Sequence, residues 1–249
     1  MAPILEVSAI AKRFGGVVAL DGAGFSVDKP GIVALIGPNG AGKTTLFDVI
    51  CGRQSADSGE VRFMGERVDG LPPFRLSRLG FARSFQECRV LPEATCLENM
   101  LFSAQDKTLR SEIAGIFRGS GHSRATVDKA RELLRMVGLE RFTNRPASDL
   151  SFGQKRLVEI ASTLMGSPKV LLLDEPASGV NPTLLNILHD FLLDQAPKMG
   201  LLLVVIEHNM EFIMSVAERI VVLHQGKVLE DGPPAAIQAS PQVIEAYLS

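Results

Sequence analysis

The sequence predicts an α/β fold: a sheet that is parallel through its centre and covered on both faces, with a helical subdomain set into it. Three observations lead there. Aliphatic runs such as "VLLL" at 170–173 and "LLLVVI" at 201–206 lack polar alternation, which marks strands buried on both sides. After residue 151 helical periods separate such runs, the order of parallel strands joined by crossover helices. Between about residue 85 and residue 149 the β-branched runs give way to helical spacing. A chain of 249 residues, 46% of them hydrophobic, suffices for one large core with a subdomain.

Taken in order, "ILEVSAI", "VVALDGAGFSV" and "GIVALIG" read as strands punctuated by Gly, Asp and Pro. After a glycine cluster at 37–42, "KTTLFDVICG" places Leu46, Val49 and Ile50 on one helical face, and Gly52 closes it. "GEVRFMGERV" alternates like a strand or hairpin. In "RATVDKARELLRMVGL", Val127, Ala130, Leu134 and Val137 recur at helical spacing before a stop at Gly138. From 151 onward come a helix, the strand "KVLLLDE", the helix "TLLNILHDFLLDQA", the strand "GLLLVVIEH", a helix, and the strand pair "RIVVLHQGKVLE". The stretch 103–126 sets Lys107, Arg110, Arg118 and Arg124 against Asp106 and Glu112, a locally basic patch that reads as a solvated helix face or a contact surface.

Lys and Arg number 26 against 28 Asp and Glu, a formal net charge of -2, so no basic field points to nucleic acid as a partner. Cys51, Cys88 and Cys96 form no CxxC pair and leave an odd thiol, which suits a reducing compartment. The opening "MAPILEVSAIAKRF" lacks the basic and apolar regions of a signal peptide. The aliphatic runs at 170–173 and 201–206 fall far short of the roughly 20 residues of a membrane span. A soluble, cytosolic protein is expected.

"GPNGAGKTT", comprising Gly37, Pro38, Asn39, Gly40, Ala41, Gly42, Lys43, Thr44 and Thr45, fits G-x-x-x-x-G-K-[ST] between a predicted strand and a predicted helix. Glycines let backbone N–H groups curl inward around phosphate oxygens, and Gly40 and Gly42 are expected to clash if given a Cβ. Lys43 would set a cation on the β- and γ-phosphates, and the Thr44 hydroxyl would ligate Mg²⁺. "VLLLDE" puts two acids at the mouth of a buried strand: Asp174 suits the Mg²⁺ shell, and Glu175 suits the attacking water. His208 ends a third strand at the edge where ligands of parallel sheets bind. In "LSFGQKRLVEIA", Ser151 and Gly153 stand at a second helix mouth that invites an anion.

These motifs together resemble the ATP-binding subunits of ABC transporters, along nearly the whole chain. The phosphate loop is similar to Walker A, "VLLLDE" to Walker B with Glu175 catalytic, His208 to the switch histidine, and Gln86 in "RSFQ" to the Q-loop glutamine that also reaches Mg²⁺. Phe14 stands where that family stacks an aromatic, usually Tyr, on adenine. "ASGVNP" resembles the D-loop, with Asn181 in place of the usual Asp. "LSFGQ" resembles the signature LSGGQ with Phe152 for the first Gly, so the resemblance implies that Ser151, Gly153 and Gln154 close on the ATP held by a head-to-tail partner.

The resemblance implies an ABC-type P-loop core with a mixed sheet and an antiparallel β subdomain. Residues 1–85 would be its N-terminal part, 86–150 the helical subdomain and 151–249 its C-terminal part. The aromatic in the signature, "SGVNP", the insert at 103–126 and the ending "PQVIEAYLS" are most similar to ATPases of branched-chain amino acid importers; urea or amide importers and lipopolysaccharide-type exporters look alike at most of these positions. The implied activity is hydrolysis of ATP with Mg²⁺, coupled to transport of branched-chain or other hydrophobic amino acids. Implied partners are membrane-spanning permeases, contacting about residues 74–102, and a second ATPase chain, identical or a paralogue. The implied location is cytoplasmic, peripheral on the inner face of the cell membrane. A soluble ABC ATPase acting on nucleic acid or ribosomes would carry two fused ATPase domains or coiled-coil inserts, and this chain has neither. Glu175 and His208 argue against a binding module without turnover.

Overall fold

A computed structural model of the chain describes residues 2–84, 89–104 and 122–248. Gln86, Cys88 and the charged residues 106–118 of the basic stretch lie outside them. The chain begins with β1 (Leu5–Phe14), β2 (Val17–Val27) and β3 (Gly31–Ile36), then α1 (Lys43–Ile50), β4 (Ser58–Phe63) and β5 (Glu66–Arg67). Next come α2 (Pro73–Leu79), β6 (Phe81–Arg83), α3 (Cys96–Ser103), α4 (Arg124–Met136) and α5 (Phe152–Thr163). The last part holds β7 (Val170–Asp174), α6 (Pro182–Asp190), β8 (Leu202–Ile206), α7 (Met210–Val216), β9 (Arg219–His224), β10 (Lys227–Gly232), α8 (Pro234–Ala239) and α9 (Pro241–Leu248).

Two sheets form. One is antiparallel in the order β2-β1-β4-β5; the other runs β10-β9-β3-β8-β7-β6 and is parallel except for the β9/β10 hairpin. The unbroken aliphatic runs explain the second sheet. On β3, Ile32, Ala34 and Ile36 face one core while Val33 and Leu35 face the other; β7, β8 and β9 alternate in the same way. The core holding Val33 and Leu35 includes Leu46, Phe47, Val49 and Ile50 of α1 together with Leu5, Val7 and Phe25 of the antiparallel sheet, so α1 is clasped between the two sheets. The other core takes up α3 to α9. Within it α3, α4 and α5 pack on one another, so the helical packing runs across residue 150.

Local chemistry sets the boundaries. Gly138, at φ +68°, follows the end of α4 as the pattern predicts. The helix expected over 183–196 instead stops at Asp190 and continues as one wider π-helical turn, Phe191–Gln195. That wider turn leaves Phe191 and Leu192, adjacent in sequence, both buried. The strand order puts β3 between β8 and β9, and the carboxyl ends of β3, β8, β7 and β6 come to lie side by side.

Candidate nucleotide site

The loop after β3 is shaped by close approach to its own chain. A Cβ on Gly37 would fall 2.1 Å from Leu223 O, and one on Gly42 would fall 2.5 Å from Ala19 O. Gly42 therefore meets the expectation of a clash. Gly40 does not: nothing lies within 4 Å of its Cβ position, and it is its φ of +80° that calls for glycine. Gly42 caps α1 without a side-chain hydrogen bond, which leaves the first-turn N–H groups open to an anion. Lys43 is buried and folds back over the loop, its Nζ donating to Gly37 O at 2.7 Å and Pro38 O at 3.0 Å. Burial draws its pKa below the usual lysine value, while the nearby charges of Glu175 and Asp174 push the other way. Thr44 is exposed beside it.

At the end of β7, Asp174 is buried. Its N–H donates to Ser84 Oγ at 3.2 Å, and its Oδ2 accepts from Arg83 Nη2 at 2.9 Å. Glu175 follows at φ +47°, a left-handed conformation that costs a non-glycine residue of order 1–3 kcal/mol and is held by its N–H donating to Ile206 O at 2.8 Å. That turn sets Glu175 Oε1 3.0 Å from His208 Nε2. Glu207, buried, accepts from the N–H groups of Ala177 (2.7 Å), His208 (2.9 Å) and Asn209 (3.2 Å), so one carboxylate fixes both the segment after β7 and the segment after β8.

The second helix mouth differs. Ser151 Oγ accepts from Gln154 N at 3.3 Å and Gln154 Oε1 accepts from Ser151 N at 2.9 Å, a reciprocal capping box. Ser151 and Phe152 are exposed. Gly153 is buried, and a Cβ there would come 2.9 Å from Leu184 Cδ1, which gives this glycine a packing reason of its own. The Phe152 ring lies on Gly179, where a Cβ would come 2.8 Å from Cε1, and Asn181 caps α6 by accepting from Leu184 N at 3.0 Å. From α5, Arg156 reaches back to the carbonyl oxygens of Asp174 and Glu175 while pairing with Glu159 at 2.8 Å, so the strand that ends in the two acids is tied to this helix.

The structure thus brings Gly37 to Thr45, Asp174, Glu175 and His208 to neighbouring strand ends. Phe14 is exposed at the end of β1, with Lys12 Nζ 5.5 Å from its ring centre. Gln86 lies outside the described residues. Sequence reasoning passed over Arg83, Ser84, Arg156 and Glu207. For Glu207 the signal was an acid ending an aliphatic strand beside a histidine; for the arginines no local signal existed, because their partners are remote in sequence.

Known proteins resemble this chain along its length. Residues 20–178 match the family described as ABC transporter, and residues 227–248 match the branched-chain amino acid ATP-binding cassette transporter family. The chain is 39% identical over 249 residues to the high-affinity branched-chain amino acid transport ATP-binding protein BraF of Pseudomonas aeruginosa, covering 99% of this chain and 98% of BraF. It is 35% identical over the same length to LivG of Escherichia coli K12, with the same coverage and the same description. Among solved structures, the ADP conformation of MJ1267, an ATP-binding cassette of an ABC transporter, superposes with a TM-score of 0.87 at 33% identity over 100% of both chains. A dimeric post-hydrolysis state of the cassette MJ0796, bound to ADP and Pi, superposes with a TM-score of 0.75 at 25% identity, over 92% of this chain and 98% of that one. With these likenesses running the length of a chain whose phosphate loop, strand-end acids and histidine converge, the protein belongs to the ABC transporter family as an ATP-binding cassette, an ATPase.

Proposed function

We propose that this cassette hydrolyses Mg²⁺-bound ATP to power a membrane importer of branched-chain or other hydrophobic amino acids, working from the cytoplasmic face as a peripheral subunit. The observation that carries the mechanism is the 3.0 Å contact of Glu175 with His208 beside the phosphate loop. In this reading the loop N–H groups and Lys43 hold the β- and γ-phosphates, and Glu175 takes a proton from the attacking water while His208 orients it. Phe14 stacks on the adenine.

The residues present fit Mg²⁺ shared with phosphate oxygens. Thr44 offers a hydroxyl and Asp174 a carboxylate, and among the described residues no group of three or more His, Cys, Asp or Glu could hold a metal by itself. Thr44, Gln86 and Asp174 would hold the ion, which would supply charge neutralisation at the phosphates. Ser151, Gly153 and Gln154 would close on the nucleotide of a second ATPase chain, identical or a paralogue; a solved relative is dimeric and bound to ADP and Pi. Permease subunits would dock along about residues 74–102, where Phe74, Leu91 and Phe102 are exposed. Among the described residues no helix is long and apolar enough to cross a membrane, so anchoring would come through those partners.

The amino acid assignment rests on the match of residues 227–248 and on the names of BraF and LivG. It is tested by purifying the tagged chain with its permeases from membranes and reconstituting the complex in ATP-loaded vesicles. Leucine, isoleucine or valine should enter, and entry should stop with Glu175→Gln. Uptake of urea without uptake of these amino acids would overturn the assignment.

A further inference from the structure

Arg83 closes β6, one residue before Ser84 and three before Gln86. Its side chain is 10% exposed, and its guanidinium bridges two carboxylates: Nη1 donates to Asp48 Oδ1 at 2.6 Å and Nη2 to Asp174 Oδ2 at 2.9 Å. Nη1 also lies 3.1 Å from Cys51 Sγ, and the group sits 5.6 Å from the centre of the Phe47 ring. Asp48 is on α1, one turn after Thr44. Thr44 and Asp174, read above as holding Mg²⁺, come from separate segments, α1 and the end of β7, and Arg83 is bonded to both segments.

We propose that Arg83 is the positioning residue of the metal shell: by binding one oxygen of Asp174 and tying it to α1, it holds Asp174 in place for a Mg²⁺ that Asp174 and Thr44 would hold. The inference rests on the reading of Asp174 as a metal-holding residue. A planar guanidinium has two N–H edges in fixed geometry and can hold two carboxylates at once; a lysine ammonium is a point charge on a flexible stem and cannot fix both. Without Arg83, Asp48 and Asp174 would face each other as like charges in a largely buried site, and Asp174 would turn away from that place. Outer partners that orient metal-binding groups commonly change metal affinity by about 10- to 100-fold.

The test uses Mn²⁺ as the probe, its binding to the full chain with ADP followed by loss of the free-ion electron paramagnetic resonance signal. Arg83→Met should weaken Mn²⁺ binding by about tenfold or more, while ADP binding in EDTA stays unchanged. Arg83→Lys should keep most of that loss, and Asp48→Asn, which cuts only the link to α1, should show a smaller loss in the same direction. Asp174→Asn is the control. If it binds Mn²⁺ like the unaltered chain, the metal reading fails and the Arg83 inference with it. If it loses Mn²⁺ while a folded Arg83→Met does not, or if Arg83→Met weakens ADP in EDTA in parallel, the Arg83 inference alone is overturned. Should Arg83→Met fail to fold, Asp48→Asn decides: unchanged Mn²⁺ affinity there overturns the inference.

Discussion

Among the described residues two helix mouths carry glycines, and they are built in opposite ways. At the start of α1 no side chain caps the helix, the loop is pressed against Leu223 and Ala19, and Lys43 bonds the loop's own carbonyls. At the start of α5 a Ser151–Gln154 box caps the helix, Ser151 and Phe152 are exposed, and Gly153 is packed onto α6. The first mouth is a cradle completed inside one chain. The second presents a capped, outward-facing helix end, which in the proposed reading joins a phosphate site only when another chain supplies the phosphate. On that reading one chain holds the machinery for binding while the closing half of each site is exported.

The largest expected effect separates binding from turnover. Glu175→Gln keeps size and hydrogen bonding but removes the charge that accepts the water's proton, so hydrolysis should drop at least about 100-fold while ATP affinity survives. A steady-state ATPase assay beside a binding titration reads both, and loss of both together would place Glu175 in binding. Lys43→Ala should remove tight ATP binding, since a charge-assisted contact to phosphate is worth about 1.5–3 kcal/mol and the buried cradle loses its cation. Normal affinity in that variant would break the claim that the α1 mouth holds the phosphates. Phe14→Ala should weaken ATP by about tenfold through about 1–3 kcal/mol of lost stacking, with the rate at saturating ATP unchanged; an unaltered dissociation constant would move the adenine platform elsewhere. The smallest effect should come from Gly153→Ala. Its new Cβ meets the flexible end of Leu184, so the melting of the isolated chain should reflect a cost of about 1 kcal/mol, the low end for an overpacked core.

What was legible in the sequence was what is local. The loop Gly37 to Thr45, the acids at 174 and 175 and His208 each stand at the end of an aliphatic strand, and strand ends in a parallel sheet converge by topology alone. The strands themselves could be read because burial on both faces leaves no room for polar alternation. Arg83 could not be read: its carboxylate partners lie 35 and 91 residues away, and only the folded sheet order brings them together. Arg156 could not be read either: it is buried, and its Nη2 donates to backbone oxygens 18 and 19 residues on. Gly40 shows the finer limit, since a glycine required by φ and one required by crowding are written with the same letter.

The central claim is that the α5 mouth of one chain reads the phosphate held by another. Gel filtration of the Glu175→Gln variant, alone and with the second ATPase chain that co-purifies from membranes, tests it most directly. The account predicts a dimer with ATP, a monomer with ADP, and loss of the ATP-dependent dimer when Ser151→Arg is added, because the larger side chain fills the space the partner's γ-phosphate needs. Dimers that form equally with ADP, or that persist with ATP after Ser151→Arg, would contradict it.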